Sequence, residues 1–273
     1  MVNKILLIAM MVLSSQAQTL SKSLYAVKSL CYEQRIDLVK AEALLTDLFK
    51  NGPGEELRTA FSEIGLELST VDAKRGVILL RASEETGEGL FYFRTAKHEE
   101  VMDMLSIPHR FFDMKTAPIG IRMFQQAPYR AAAFNTVHRD EVDMAHTPQT
   151  LFELFHKVYA RVYPQESIYQ LHGYSRQKRR SESASAAQII VSSSSMNPSR
   201  KAEELVSNLA DQEWSAALFP RDVNELGGTT NTTARMLLKS GYKGFIHIEM
   251  APDLRRALAS DKVMLKRFGG CLK

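Results

Sequence analysis

A chain of 273 residues, 45% of them hydrophobic and 24% charged, with 9 prolines and 14 glycines, is long enough to bury a sizeable core as one large domain. That composition excludes a collagen-like, coiled-coil or largely disordered chain. A net charge of +4 and a pI near 9.0 are mildly basic, but no wide basic face interleaved with aromatics accompanies them, so no nucleic-acid partner is expected.

The N-terminus reads as a targeting segment. Met1-Val2-Asn3-Lys4 carries one positive charge, Ile5 to Leu13 is an unbroken apolar run, and Ser15-Gln16-Ala17 has the small-x-small form of a cleavage site. The apolar run is about half the length of a bilayer-spanning helix. Residues 1–17 are therefore expected to be a signal peptide, and the mature protein to be periplasmic or secreted, with no membrane association after cleavage. Residues 18–273 then form a single α/β domain, with a helical and hairpin part over 18–100 and a core over 101–258. The two cysteines, Cys31 and Cys271, could pair in an oxidising compartment and tie the chain ends together.

Residues 33–65 are helix-like, because Leu38, Ala41, Leu44, Leu45, Leu48 and Phe49 recur at helical spacing until Asn51-Gly52-Pro53-Gly54 breaks the pattern. The period then changes. Leu66–Val71 and Val77–Leu80 read as a hairpin around the turn Asp72–Gly76, and Leu90–Phe93 as a further short strand. Strands are predicted over Val101–Ile107, Ala131–Phe134, Ser167–Leu171, Gln188–Val191 and Phe245–Ile248. Helices fall between them, near 116–127 and over Pro148–Tyr163, 200–212 and Thr230–Ser240. Lys178-Arg179-Arg180 and the Ser/Ala-rich stretch Ser181–Ala187 read as a solvated loop. The alternation predicts an α/β fold with a mixed, mainly parallel sheet covered by helices on both faces.

In such sheets ligands bind beyond the carboxyl ends of the strands. His109, His172 and Glu249 each fall one or two residues past a predicted strand. Pro108 fixes the approach to His109, with Asp113 four residues on. His172 is followed by Gly173, which permits a sharp turn. Two imidazoles and one carboxylate around zinc leave a fourth position for water, the arrangement of a catalytic site. Glu249 is the candidate to take that water's proton. His247 alternates with Glu249 along one strand, so both share a face. His98 and His156 read as ordinary surface or core histidines. A rival metal set lies in the dense run from His138 through Asp143 to His146. Ser192–Ser195 lacks the Gly-x-Ser-x-Gly elbow of a serine hydrolase.

The order of these motifs over roughly 105–255 resembles the zinc carboxypeptidase superfamily, including N-formylglutamate amidohydrolases and deacylases of N-acyl amino acids. Pro108-His109 with Asp113 looks like its first ligand segment, with three intervening residues where the family has two and Asp for Glu. Asn135-Thr136-Val137-His138-Arg139-Asp140 is similar to its Asp-Leu-Asn-Arg segment, with His138 where the family has Asn. Gln170-Leu171-His172-Gly173-Tyr174-Ser175 looks like its last histidine segment. Gly227-Gly228-Thr229-Thr230-Asn231, leading through a helix to Phe245-Ile246-His247-Ile248-Glu249-Met250, is similar to its closing turn, helix and strand-end glutamate. The resemblance implies a Zn2+ cofactor on His109, Asp113 and His172, and catalytic roles for Glu249 and Arg139. It also implies substrate contacts from Arg139, Tyr174, Gly228 and Thr229. The substrate implied is a small peptide or N-acyl amino acid whose carboxylate Arg139 grips. A non-catalytic peptide or cell-wall binder of the same fold is the alternative.

Overall fold

The computed structural model describes residues 20–95 and 103–272. The expected signal peptide, His98 and the first two residues of the Val101–Ile107 strand lie outside the described residues. A helical stretch over 20–26 (α1) precedes α2 (Leu38–Asn51) and α3 (Glu55–Glu63). The hairpin follows as β1 (Leu66–Asp72) and β2 (Val77–Ala82), then β3 (Leu90–Arg94) and β4 (Met104–Ile107). Next come α4 (Thr116–Gln126), β5 (Ala131–Phe134), α5 (Leu151–Val162), β6 (Ile168–Gly173), α6 (Glu182–Ala186) and β7 (Ile189–Ser192). The chain continues through α7 (Arg200–Asp211), β8 (Ala216–Leu218), α8 (Thr232–Lys239) and β9 (Phe245–Met250) to α9 (Pro252–Ser260) and α10 (Lys262–Cys271).

One nine-stranded sheet runs in the order β1-β2-β3-β5-β4-β6-β9-β7-β8. Its centre, β5-β4-β6-β9, is parallel, and β7 pairs β8 in parallel, whereas β1, β2, β3 and the β7–β9 junction are antiparallel. The sheet is thus mixed as expected, with its parallel part concentrated where the crossover helices lie. The same sheet carries the N-terminal hairpin without a break.

Strand alternation divides the core in two. In β2, Val77 and Leu79 join a cluster with α4, α7, α9 and α10, while Ile78 and Leu80 join one with α2, α3, α5 and α8. Helices therefore cover both faces. Side-chain caps start several of them: Asp37 accepts from Val39 and Lys40 N–H, Thr150 from Glu153 N–H, and Asn231 from Ala234 N–H.

Two expectations change, and two helices appear that the sequence reading did not include. The Ser181–Ala187 stretch is not a plain loop, because Ser181 caps α6 through the Ala184 N–H. The C-terminal residues form α9 and α10, which bury Leu254, Leu258, Leu265 and Phe268. Cys31 and Cys271 do not pair: Cys31 is exposed, while the buried Cys271 thiol faces the carbonyls of Asn208 and Arg267.

His156 is a core histidine on α5. Its Nδ1 lies 2.6 Å from Phe152 O and its Nε2 2.7 Å from Ser106 Oγ. Burial depresses its pKa from 6.5 to about 4, so the unfolded chain takes up a proton that the folded chain refuses until about pH 4. Stability from this residue is therefore complete above about pH 6.5 and falls towards pH 4, by up to about 3 kcal/mol. Urea midpoints measured between pH 7 and pH 4 should fall less steeply in His156→Gln than in wild type. Parallel curves would contradict it.

Candidate metal centre and its cavity

The carboxyl ends of adjacent strands β4, β6 and β9 bring the predicted residues together. His109 follows β4, and the Asp113 N–H donates to His109 O at 2.8 Å, closing a tight turn. The turn returns the Asp113 carboxylate to its own histidine, Oδ2 lying 3.2 Å from His109 Nδ1. Asn135 Nδ2 holds the approach by donating to Pro108 O at 2.7 Å and Val137 O at 2.8 Å. His172, on β6, stands opposite Glu249, on β9, in parallel register. Its Nδ1 is 3.1 Å from His109 Nδ1 and 3.5 Å from Asp113 Oδ2. Asp113 Oδ2 also accepts the Gly173 N–H at 3.0 Å. Among the described residues His109, Asp113 and His172 form the one set of potential metal ligands whose donor atoms converge, all within 4.8 Å of one another and all buried.

The outer nitrogens of both rings are already committed. His109 Nε2 lies 2.8 Å from Asp143 Oδ1, and a carboxylate accepts only. His172 Nε2 lies 2.8 Å from Gln170 Oε1. Gln170 is fixed by donating through Nε2 to Ser106 Oγ at 3.2 Å and by accepting from Asn231 Nδ2 at 2.5 Å. Both Nε2 atoms therefore carry the hydrogen, and both Nδ1 atoms present lone pairs to each other and to Asp113. Three acceptors then converge on one point, where a metal ion or a second proton on His109 would satisfy them, and each ring's second nitrogen has the polar partner that orients a metal-bound histidine.

The titration directions agree. Burial opposes ionisation of Asp113, but the His109 and His172 contacts override it and hold the carboxyl well below the usual range. Burial likewise opposes ionisation of Asp143, and His109 and Arg139 bring its pKa down to about 2. Burial, reinforced by His247, depresses His172 to about 4. Burial also opposes charge on His109, yet Asp113 and Asp143 raise its pKa. Of the two rings, His109 is thus the one whose surroundings favour positive charge.

Beside this cluster lies a cavity of about 430 Å3 lined by Asp113, Arg139, Tyr174, Lys178, Glu249 and Arg255, among others. Glu249 is buried, with Oε1 3.4 Å from His247 Nε2 and Oε2 without a hydrogen-bond partner among the described residues. Arg139 donates through Nε to Asp143 Oδ2 at 2.9 Å and lies over the Phe112 ring at 5.3 Å. Among the described residues its two terminal nitrogens have no hydrogen-bond acceptor.

The remaining candidates divide. Tyr174 lines the cavity, but its hydroxyl donates to Ala187 O. Gly228, at φ 62°, packs behind His247, where a Cβ would lie 2.9 Å from His247 Nδ1 and from Ser194 Oγ. Thr229 is exposed, and its carbonyl accepts from Arg235 Nε at 2.8 Å. Gly228 and Thr229 thus stand outside the cavity lining. The rival set does not converge: His138 Nδ1 lies 3.6 Å from Asp140, His146 Nδ1 faces Thr230 O at 3.1 Å, and Asp143 serves His109.

Gln170, Asn231, Arg255 and Lys178 were not singled out for this site by the sequence. Gln170 alternates with His172 on one strand face, which is a readable signal. The Arg255 guanidinium is spent on the carbonyls of Met250, Met114 and Tyr174, a role no local pattern announces.

The fold and centre described here are those of an α/β chain with a His/Asp/His donor set at the strand ends. No known family's sequence profile matches the chain, and no curated protein matches it. Solved structures do. The chain is similar to an N-formylglutamate amidohydrolase from Ralstonia eutropha JMP134, at 8% identity and TM-score 0.45, over 67% of this chain and 95% of that one. It is similar to a bacteriophage poly-gamma-glutamate hydrolase at 11% identity and TM-score 0.41, over 66% of this chain and 84% of that one. A metallo-carboxypeptidase from Burkholderia cenocepacia matches at 8% identity and TM-score 0.38, over 67% of this chain and 60% of that one. These are hydrolases of the kinds the motif order resembles. At such scores they carry no chemistry to this chain, which has to come from its own residues.

If Asp143 orients His109, Asp143→Asn should weaken divalent-metal binding roughly 10- to 100-fold while the fold is kept, as read by chelator competition and circular dichroism. Unchanged affinity would show that the His109–Asp143 contact is incidental to the metal.

Proposed function

We propose that this chain is an exported zinc-dependent hydrolase that cleaves an amide bond in a carboxylate-bearing substrate, a short peptide or an N-acyl amino acid. The observation that carries the reading is the convergence of His109 Nδ1, His172 Nδ1 and Asp113 Oδ2 beside Glu249, whose second oxygen has no partner. Two imidazoles and one carboxylate suit zinc, with a coordination position left open. Export rests on the leader-like residues 1–17 alone.

Zinc, when bound, supplies Lewis acidity and brings the pKa of a bound water towards neutrality. Glu249 then takes the proton from the attacking water and returns it to the departing nitrogen. His247 stands at its other oxygen and limits the swing of the carboxylate. Arg139, braced by Asp143 through Nε, offers its terminal nitrogens to the substrate carboxylate in a two-pronged contact. Asp143 thus ties the substrate anchor to the orientation of a metal ligand.

Purified protein should contain one zinc per chain, and His109→Ala and His172→Ala should each lose it. Glu249→Gln should retain zinc and lose turnover by at least about 100-fold. A zinc-free wild type, or a Glu249→Gln variant as fast as wild type on every substrate, would contradict the reading. Arg139→Ala should lower kcat/KM about 10-fold or more for substrates with a free carboxylate, and far less for their amidated forms. Equal losses on both would remove its assigned role.

A further inference from the structure

Two buried side chains near the metal centre, Ser106 and His156, have no part in the hydrolysis described above. Ser106 on β4 stands opposite Gln170 on β6 in parallel register, and His156 reaches Ser106 from α5. All three residues are fully buried. They join His172 through one line of hydrogen bonds, and backbone groups at its two ends settle the direction of each bond.

At one end Phe152 O can only accept, so His156 Nδ1, 2.6 Å away, carries the hydrogen. Burial depresses the His156 pKa to about 4, so the ring is uncharged at neutral pH and its Nε2 is a bare lone pair. Ser106 Oγ, 2.7 Å from that lone pair, gives it its one hydrogen. Having spent that hydrogen, Ser106 can only accept from Gln170, so the group 3.2 Å away is the Gln170 amide nitrogen. Gln170 Oε1 is thereby turned towards His172, whose Nε2 at 2.8 Å carries the hydrogen. The other end runs through Asn231. The Ala234 N–H can only donate, which assigns Oδ1 of Asn231 to the helix cap and leaves Nδ2 to donate to Gln170 Oε1. The two ends agree, and neither refers to a metal.

We propose that His156 is a positioning residue that acts through Ser106 and Gln170 to fix the tautomer of His172, so that Nδ1 is the ligating atom. The other tautomer would point a hydrogen at His109 Nδ1 and Asp113 Oδ2, 3.1 and 3.5 Å away, and could not hold an ion there. The proposal rests on His172 being a metal ligand, as in the proposed function. Without an acceptor at position 156 the buried Ser106 hydrogen has only Gln170 to turn to, and it drives the amide to turn over. Asn231 opposes that turn, so the loss is partial.

His156→Leu keeps much of the bulk and removes the acceptor, whereas His156→Gln returns an oxygen near the place of Nε2. Ring-nitrogen NMR spectra of the metal-free full chain report which nitrogen of His172 is protonated. Wild type and His156→Gln should show the Nε2–H form, and His156→Leu a mixture with the Nδ1–H form. Zinc affinity, read by chelator competition, should fall about 10-fold in His156→Leu and be restored in His156→Gln. Ser106→Ala cuts the same line at β4 and should match His156→Leu, which keeps the test decisive if leucine prevents folding. An Nδ1–H form in wild type, or a wild-type tautomer and zinc affinity in Ser106→Ala or in folded His156→Leu, would overturn the proposal. The tautomer is read without metal or substrate. A protein that hydrolyses no amide yet shows this dependence loses the hydrolase reading and keeps this one, and a hydrolase whose His172 ignores position 156 does the reverse.

Discussion

Two imidazoles whose Nε2 hydrogens are already committed, one to a carboxylate and one to an amide oxygen, leave their Nδ1 lone pairs facing each other across 3.1 Å. Asp113 adds a third acceptor to the same point. No arrangement of the neutral rings satisfies all three, so the centre is stable around positive charge and strained without it. The sheet supplies the geometry. Strands β4, β6 and β9 are neighbours, and the parallel register that sets His172 against Glu249 places a candidate base one strand from a candidate ligand.

Around that point the polar groups form a connected set. Asp143 accepts from His109 through one oxygen and from Arg139 through the other. Gln170 receives the His172 Nε2 hydrogen and is itself held by Ser106 and Asn231. Asn231 caps α8 at the same time, so the helix that follows the Gly227-Gly228 turn is coupled through Gln170 to the orientation of the His172 ring on β6. A change in one member propagates to the others, as expected of a buried network in a low-dielectric setting.

Most of the fold was legible because each element carries its own period. The apolar run Val77–Leu80 and the helical spacing of Leu151, Phe152, Leu154, Phe155 and Val158 are local signals that packing then confirmed. The C-terminal helices were missed although Leu254, Leu258, Leu265 and Phe268 have helical spacing, because charged residues interrupt them. Of the site, His109, Asp113, His172, Glu249 and Arg139 were visible from their positions beside predicted strands and from the order of motifs. What stayed hidden depends on distance along the chain. Asp143 stood out in a dense run of histidines and acids, but its partner is His109, 34 residues earlier, and local density is not convergence. Lys178-Arg179-Arg180 is solvated as read, with Lys178 and Arg180 exposed, but its clamp stayed hidden because Glu225 comes more than 40 residues later. Cys31 and Cys271 matched a compartment argument that says nothing of where two side chains point.

The proposed hydrolysis requires a metal ion held between residues 109, 113 and 172, and anomalous diffraction at the zinc edge from crystals of the purified protein tests whether that ion is zinc. The expected map has one peak about 2.0–2.1 Å from His109 Nδ1 and His172 Nδ1 and about 2.0–2.2 Å from an Asp113 oxygen. A peak bound instead by His138 and His146, or no ordered peak between the two Nδ1 atoms, would contradict it.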